Sequence, residues 1–233
     1  MDSIQIDEDG LFSVTNAKNS SKMAQRCAHV FRMLDDGKIR KPVITDGCAC
    51  VGGNVFGFAL SNLFEKVQAV EFDGTRAKML SHNVAILEKN LEKNEKCHTE
   101  VTVLESADYT LAMETLKQDI VFLDPPWGGP DYKTGQPATL KLGDTRLADI
   151  IEYLMLREDL QTKLVFWKAP AANYDADMAY TTKKMTLLGL TIIEVRGFNK
   201  MKLFYVNLTL GRGAAAAGVT AASTLGMGHR GED

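Results

Sequence analysis

The chain alternates short β-rich runs with longer runs whose apolar residues recur at helical spacing. Five of the β-rich runs are each followed or preceded by a segment that is long enough for a helix: "KPVITDG", "KVQAVEFD", "EVTVLES", "DIVFLDP" and "KLVFWK". Strands that are joined by crossover helices run parallel, and the helices cover both faces of the sheet. The alternation therefore predicts an α/β fold with a mostly parallel sheet.

The last two β-rich runs break this rhythm. "LTIIEVRGF" and "MKLFYVNLTL" are separated only by Asn199 and Lys200, which is too short for a crossover helix. Two such runs pair antiparallel as a hairpin. This pattern resembles the Rossmann-like class I methyltransferases that use S-adenosylmethionine (AdoMet). We therefore expect a seven-stranded, mostly parallel sheet that ends in an antiparallel hairpin, with an N-terminal amphipathic helix over residues 16–36.

Composition predicts one folded unit with a distinct C-terminal tail. Of the 233 residues, 45% are hydrophobic, which is enough to bury the core of one α/β domain. We expect an N-terminal helical segment over residues 1–36 that packs on a methyltransferase domain over residues 37–210. Residues 211–233 are rich in Gly and Ala with almost no large apolar side chains, so we expect a disordered tail.

Charge and hydropathy restrict the location and the partners of the protein. The formal net charge is -3, so no overall basic field attracts nucleic acid and any such contact must be local. No apolar run approaches the roughly 20 residues that a membrane-spanning helix needs. No signal peptide precedes the cysteines. We therefore expect a soluble intracellular protein of the nucleus or cytoplasm, or of a host cell if the source is viral.

The cysteines and histidines do not predict a metal site. Cys48 and Cys50 are separated by one residue, and Cys97 lies directly beside His98. Structural zinc sites use gaps of about two to four residues between paired ligands. The sequence therefore predicts that no metal is bound.

Acidic residues end three of the predicted strands. In open α/β sheets the ligand binds beyond the carboxyl ends of the strands, and the first three strands end at Asp46, at Glu71 and near Asp108. An acid after the second strand commonly binds both ribose hydroxyls, and Asp108 is placed for an adenine amino group. Gly52 and Gly53 allow close approach of a nucleoside, and no phosphate-binding lysine follows them. A nucleoside-like cofactor is favoured over a nucleoside triphosphate.

The fourth strand runs into Asp124-Pro125-Pro126-Trp127, a motif that methyltransferases of planar nitrogens share. The lone pair of an aromatic amine is delocalised into the ring, so the nitrogen becomes nucleophilic only when it is drawn toward tetrahedral geometry. The Asp124 carboxylate and the Pro125 carbonyl are candidates to accept from its two N–H groups, while Trp127 stacks on the base. The motif predicts methyl transfer to an exocyclic amine.

Three segments, "DPPWGGPDY", "CVGGN" and "EDGLFSVT", resemble the trimethylguanosine synthase family of RNA cap guanine-N2 methyltransferases. The resemblance covers about Asp7 to Leu210. It implies methyl transfer from AdoMet to the 2-amino group of a 7-methylguanosine cap, so that capped RNA is the expected partner. It also implies that Trp127 stacks on the methylated guanine, which is cationic and attracted to an indole ring.

The resemblance assigns roles to further residues. Asp46 and Val51 to Asn54 match the first motif of the family, Glu71 matches its ribose-binding acid, and Phe12 to Thr15 match a segment over the cofactor and the cap. The expected cofactor-binding residues are Thr15, Asp46, Gly52, Asn54, Glu71 and Asp108. The expected catalytic residues are Asp124 and Pro125, and the expected substrate-binding residues are Trp127, Asp131 and Lys168.

Some positions depart from the family pattern. The family usually has Gly where this chain has Cys50, and commonly Ser where it has Asp124. Its Leu-Pro-Arg-Asn segment is matched only loosely by "WKAPAAN", which lacks the arginine. Lys168 is, by position alone, the substitute candidate for contacts with the cap phosphates. Trp167 is either a second wall of the pocket or a buried side chain at the strand end.

Two other functions compete with cap methylation. Asp-Pro-Pro-aromatic alone does not choose a substrate, so an amino-methyltransferase of an internal guanine or adenine in RNA or DNA is one alternative. A cap-binding module without catalysis is the other, because the Cys50 side chain could crowd AdoMet. Trp127 and the Gly-Gly-Pro after it favour the cap, and a monomer is the default.

Overall fold

The computed structural model describes residues 3–34, 40–91, 98–127, 139–172 and 174–212. The strands are β1 (Val43–Asp46), β2 (Lys66–Glu71), β3 (Glu100–Glu105), β4 (Ile120–Leu123), β5 (Lys141–Leu142), β6 (Thr145–Arg146), β7 (Leu164–Pro170), β8 (Ile193–Glu194) and β9 (Met201–Asn207). The helices are α1 (Glu8–Ser13), α2 (Ala17–Leu34), α3 (Gly53–Leu60), α4 (Gly74–Leu91), α5 (Tyr109–Ala112), α6 (Leu147–Leu156) and α7 (Asp175–Leu187).

Seven of these strands form one sheet in the order β3-β2-β1-β4-β7-β9-β8. The first five strands in that order are parallel, while β9 runs antiparallel to both β7 and β8. This confirms the predicted Rossmann-like fold with its closing hairpin. The carboxyl ends of β1, β2, β4 and β7 meet at one edge of the sheet, which is where the predicted site residues lie.

Each face of the sheet has its own hydrophobic core, because alternate strand residues point to opposite faces. On one face the helices α2, α3 and α4 bury Met23, Phe58 and Leu80 against the sheet. On the other face α6 and α7 bury Ile150 and Met185. The near-continuous apolar character of the central strands follows from burial on both sides.

The structure adds elements that the sequence did not predict. Helix α1 forms because Asp7 caps it, with the Asp7 Oδ1 accepting from the Gly10 N–H at 2.8 Å. Strands β5 and β6 pair antiparallel as a small separate ladder just before α6. Strand β8 is only two residues long, although nine β-rich residues surround it. Edge position explains this, since β8 has a partner on one side only.

Other boundaries shift by a few residues. The predicted helix over residues 16–36 is α2, which begins after Asn16, and the Asn16 Oδ1 accepts from the Asn19 N–H at 3.0 Å. Helix α5 begins at Tyr109, directly after Asp108, which caps it. Residues 208–212 form a last helical turn, whereas most of the predicted tail, residues 213–233, lies outside the described residues.

Candidate active site

The N-terminal strap, defined here as residues 3–16, lies across the glycine loop between β1 and α3. Asn83 of α4 is fully buried and holds both segments: its Oδ1 accepts from the Gln5 N–H at 2.7 Å, and its Nδ2 donates to the Gln5 carbonyl at 2.8 Å and the Val51 carbonyl at 2.9 Å. A Cβ on Gly53 would lie 2.8 Å from Val14 Cγ2 and 2.9 Å from the Thr15 nitrogen. Only glycine permits this close approach.

Glu71 fixes the other side of the glycine loop. Its Oε2 accepts from the Cys50 N–H at 2.7 Å, and its Oε1 accepts from the Asp73 N–H at 2.9 Å. The next residue, Phe72, has a 73% exposed side chain at the same sheet edge. The sequence analysis did not include Phe72 among the candidate ligand-binding residues. A large aromatic residue directly after the predicted ribose-binding acid could have indicated a ring beside the cofactor site.

Cys50 adopts a backbone conformation that favours glycine. Its φ is +48°, and Gly52 two residues later has φ of +106°. A left-handed conformation costs a residue with a Cβ roughly 1–2 kcal/mol, whereas glycine adopts it without that cost. The backbone at Cys50, where the family usually has Gly, is therefore strained.

We expect Cys50→Gly to stabilise the protein. The relief of strain is partly offset by the greater freedom of glycine in the unfolded chain, so the free energy of unfolding should rise by about 0.5–1 kcal/mol. Urea denaturation measures this change, with Cys27→Ala in the core as a variant expected to destabilise. Calorimetry on the same protein should give AdoMet affinity that is equal or higher. A loss of AdoMet affinity would show that the Cys50 side chain assists the cofactor instead of crowding it.

Asp46 lies beneath the glycine loop and is fully buried. The pKa of its carboxyl is raised to about 7, mainly by burial and also by the nearby carboxylates of Asp124 and Glu71. The hydrogen bond from the Cys48 N–H and the charge of Lys168 lower the pKa in part. Its Oδ2 and the Oδ1 of Asn54 are buried and accept no hydrogen bond from the described residues. Two buried acceptors at a predicted cofactor site fit a ligand that brings its own donors and positive charge.

Asp124 stands at the centre of a polar network that joins four segments of the chain. Its Oδ2 accepts from Lys168 Nζ of β7 and, at 3.3 Å, from Asn54 Nδ2 of α3. Lys168 Nζ also donates to Thr15 Oγ1 of the strap at 3.0 Å. The side chain of Lys168 is 3% exposed and that of Asp124 is 16% exposed. The ion pair is therefore nearly enclosed by protein.

Trp127 follows three residues after Asp124 and is half-buried. Lys168 Nζ lies 5.7 Å from the centroid of its ring, which is within cation–π range. Pro125, between them, is buried, and Pro126 is exposed. The motif thus brings a paired carboxylate and an aromatic ring to the carboxyl edge of the sheet, as the sequence predicted from their position.

The structure places most of the predicted site residues at this edge, in two connected groups. One contains Thr15, Asn54, Asp124, Trp127 and Lys168, and the other contains Asp46, Gly52 and Glu71. No contact tests the ligand roles assigned to them, which stay predictions. The burial of Lys168 favours a role within the site over contact with cap phosphates.

Three further predicted residues are placed differently. Asp108 caps α5, its Oδ1 accepting from the Thr110 N–H at 2.8 Å, and its contact with adenine stays a prediction. Asp131 lies outside the described residues. Trp167 is fully buried in the core beside α6 and α7, where its ring stacks on Phe204 with centroids 5.6 Å apart. It is therefore a core residue and not a second wall of the pocket.

The sheet order and the residues at its carboxyl edge define a methyltransferase of the Rossmann-like class. The precorrin-6y C5,15-methyltransferase of Geobacter metallireducens matches 88% of this chain and 96% of its own, with a TM-score of 0.52 and 14% identity. A human methyltransferase 10 domain containing protein matches 80% of each chain, with a TM-score of 0.49 and 12% identity.

The chain belongs to the RNA cap guanine-N2 methyltransferase family, whose model matches residues 41–171. An uncharacterised protein of Acanthamoeba polyphaga mimivirus is 34% identical over 169 residues. The match takes in 70% of this chain and 61% of that relative, so this chain spans about three fifths of the relative's length. Fold and family together imply that the methyl donor is AdoMet.

The family's donor suits the residues present. AdoMet carries an ammonium group and a sulfonium. The buried acceptors of Asp46 and Asn54 lie before and after the glycine loop in the chain, and the Cys50 N–H of this loop donates to Glu71. Among the residues that the structure describes, no helix is both long and apolar enough to cross a membrane.

Proposed function

We propose that this protein methylates the 2-amino group of a 7-methylguanosine RNA cap. The observation that carries the proposal is the Asp124 carboxylate, held between Lys168 and Asn54 three residues before the half-buried Trp127. The motif thus provides a carboxylate that can accept from the amine and an aromatic ring on which the purine can stack. The family assignment supports the guanine amine over other nitrogens.

Within this proposal the protein's residues orient the amine. AdoMet supplies an electrophilic methyl group when it is bound, held by Asp46, Glu71 and the glycine loop. The Asp124 Oδ1 makes no hydrogen bond with the described residues, so it can accept one N–H of the guanine 2-amino group. The Pro125 carbonyl accepts the other. Both contacts pull the nitrogen lone pair out of conjugation and aim it at the methyl group.

Lys168 acts through Asp124 in this proposal and is a positioning residue. Its ammonium fixes the Oδ2 of Asp124, which leaves the Oδ1 directed to the substrate. A charge-assisted hydrogen bond of this kind is about twice as strong as a neutral one and holds its geometry well in a buried site. Thr15 completes the arrangement because it fixes Lys168 from the strap.

One observation favours a second candidate, the methylation of an uncharged purine amine. The Lys168 ammonium lies 5.7 Å from the Trp127 ring centroid, so a cation already interacts with the ring on which the base would stack. A like charge nearby disfavours 7-methylguanine relative to guanine or adenine. The Asp124 carboxylate offsets this effect because it is paired with the same ammonium.

Matched caps that differ only in the 7-methyl group separate the two candidates. Cation–π attraction to Trp127 should favour the methylated cap by up to about 2 kcal/mol. That difference corresponds to roughly thirtyfold in kcat/KM. The measurement is transfer of a labelled methyl group from AdoMet at low salt, with an adenosine cap as the control for amine choice. Equal rates on both guanosine caps would refute cap specificity and leave the methyltransferase class intact.

A further inference from the structure

Positive charge is concentrated on helix α2, although the whole chain has a formal net charge of -3. The helix contains no acidic residue in its 18 positions. Lys22 and Arg26 are one turn apart on the same face, and Arg26 is exposed. A helix with an unbalanced basic face in an acidic protein is a local electrostatic feature of the kind that polyanions bind.

The segment between β8 and β9 extends this positive surface. Arg196 and Lys200 are exposed there. Lys22 joins the segment to α2, because its Nζ donates to the Gly197 carbonyl at 2.5 Å and lies 5.0 Å from the centroid of the Phe198 ring. Gly197 has φ of +108°, and a Cβ there would lie 2.6 Å from Lys22 Nζ. The segment is therefore fitted closely onto the helix.

We call Lys22, Arg26, Arg196 and Lys200 the basic surface. Arg26, Arg196 and Lys200 form no ion pair with any residue that the structure describes. By contrast, Lys202 is paired with Glu194 at 2.7 Å, so it is not included. Exposed cations without acidic partners keep their charge available for a ligand.

The basic surface begins beside the proposed active site. Helix α2 starts two residues after Thr15, whose hydroxyl bonds Lys168. On the other side, β9 begins at Met201, which pairs with Pro170 at the carboxyl end of β7. Both halves of the surface thus lead away from the edge where Asp124 and Trp127 lie. Lys168 is buried and cannot serve this surface.

We infer that the basic surface binds the phosphodiester backbone of the nucleotides that follow the cap. The inference rests on the proposed function, since it assumes that the cap is seated at Trp127. Lysine and arginine side chains bind phosphates without regard to base sequence, and the binding releases counterions. The cap is then held by stacking, whereas the RNA chain adds affinity through charge alone.

The test compares a cap dinucleotide with a capped single-stranded RNA of about 12 nucleotides, a length within the range that single-strand sites cover. The variant is Arg26→Glu/Lys200→Glu. The matched control is Lys78→Glu/Lys183→Glu, which changes the net charge equally and alters exposed positions on α4 and α7. Affinities are measured by fluorescence anisotropy as a function of salt concentration.

Wild-type protein should bind the longer RNA more tightly than the dinucleotide. The Arg26→Glu/Lys200→Glu variant should lose about tenfold in affinity for the longer RNA, and its salt slope should fall by about 1.4, since a single strand gives roughly 0.7 per phosphate contact. The dinucleotide affinity should not change. The control variant should keep both affinities within about twofold.

Three results would overturn the inference, and a fourth would overturn the proposed function on which it rests. Equal wild-type affinities for dinucleotide and longer RNA would refute the RNA path while the cap function stands. Equal losses in the variant and in its control would attribute the effect to net charge. Binding to anionic lipid vesicles that the variant loses, with RNA affinity unchanged, would assign the surface to a membrane instead. No binding of any cap by wild type would refute the proposed function itself.

Discussion

Lys168→Met should destabilise the protein by about 3 kcal/mol and lower methyl transfer at least about a hundredfold, because it leaves the Asp124 carboxylate enclosed without its partner. Asp124→Ser alone should also be costly, since the Lys168 ammonium is then the unpaired buried charge. The double variant Asp124→Ser/Lys168→Met removes both charges. We expect it to be more stable than either single variant, with a coupling energy of about 2 kcal/mol.

Chemical denaturation and steady-state kinetics measure this cycle. Lys184→Met is the control, because Lys184 forms ion pairs with Asp149 and Glu152 whose side chains are 42% and 36% exposed. Removing such a surface pair should cost less than about 1 kcal/mol. A positioning role further requires that Lys168→Met lowers kcat more than it raises KM for the cap. Additive effects of the two single substitutions would contradict a coupled Asp124–Lys168 unit.

Trp127→Ala should lose most of the affinity for the cap, about 1–3 kcal/mol, because stacking on one base has that magnitude. AdoMet affinity should remain, since the cofactor residues belong to other strand ends. Trp127→Phe retains a ring and should keep part of the affinity. Calorimetry with a cap dinucleotide and, separately, with AdoMet measures both. If Trp127→Ala binds the cap as wild type does, the stacking role is wrong.

Fluorescence adds a second measurement, because the chain contains only two tryptophans. Trp167 is fully buried against Phe204, so a cap cannot reach it. Quenching of the emission by a cap dinucleotide should therefore come from Trp127 and be absent in Trp127→Phe. Quenching that persists in this variant would place the cap elsewhere.

The general architecture follows from the sequence because it depends on periodicity. Buried strands separated by amphipathic helices permit few topologies, and the two adjacent β-rich runs at the end permit only an antiparallel pairing. The strand-end rule then places Asp46, Glu71 and Asp124 at one edge without knowledge of any distance. These features need only the order of residues along the chain.

The pairing of Lys168 with Asp124 did not follow from the sequence. The two residues are 44 positions apart, Asp124 directly after β4 and Lys168 in the neighbouring strand β7, and Thr15 is 153 positions from Lys168. A lysine at the end of a strand is usually exposed to solvent, so the sequence indicated that Lys168 contacts the cap phosphates. Contacts with Thr15 of the strap, Asp124 and Trp127 enclose it instead. Long-range enclosure of this kind leaves no local signal.

The role of Trp167 was open for a related reason. Residues 167 and 168 point to opposite faces of β7, because side chains alternate along a strand. The face that each occupies depends on which helices cover the sheet there, and this is decided by α6 and α7 on one side and by α2 on the other. The composition of the strand alone does not show which of its two faces holds Trp167.

The uneven distribution of charge around α2 also gives the molecule an electric dipole moment. Eighteen consecutive residues of this helix have no acid, while the chain as a whole is acidic. The basic residues of α2 attract a polyanion before any contact forms, so encounters in which α2 faces the polyanion are favoured. Productive encounters should become more frequent as salt is lowered, with the rate of association rising faster than the rate of dissociation falls.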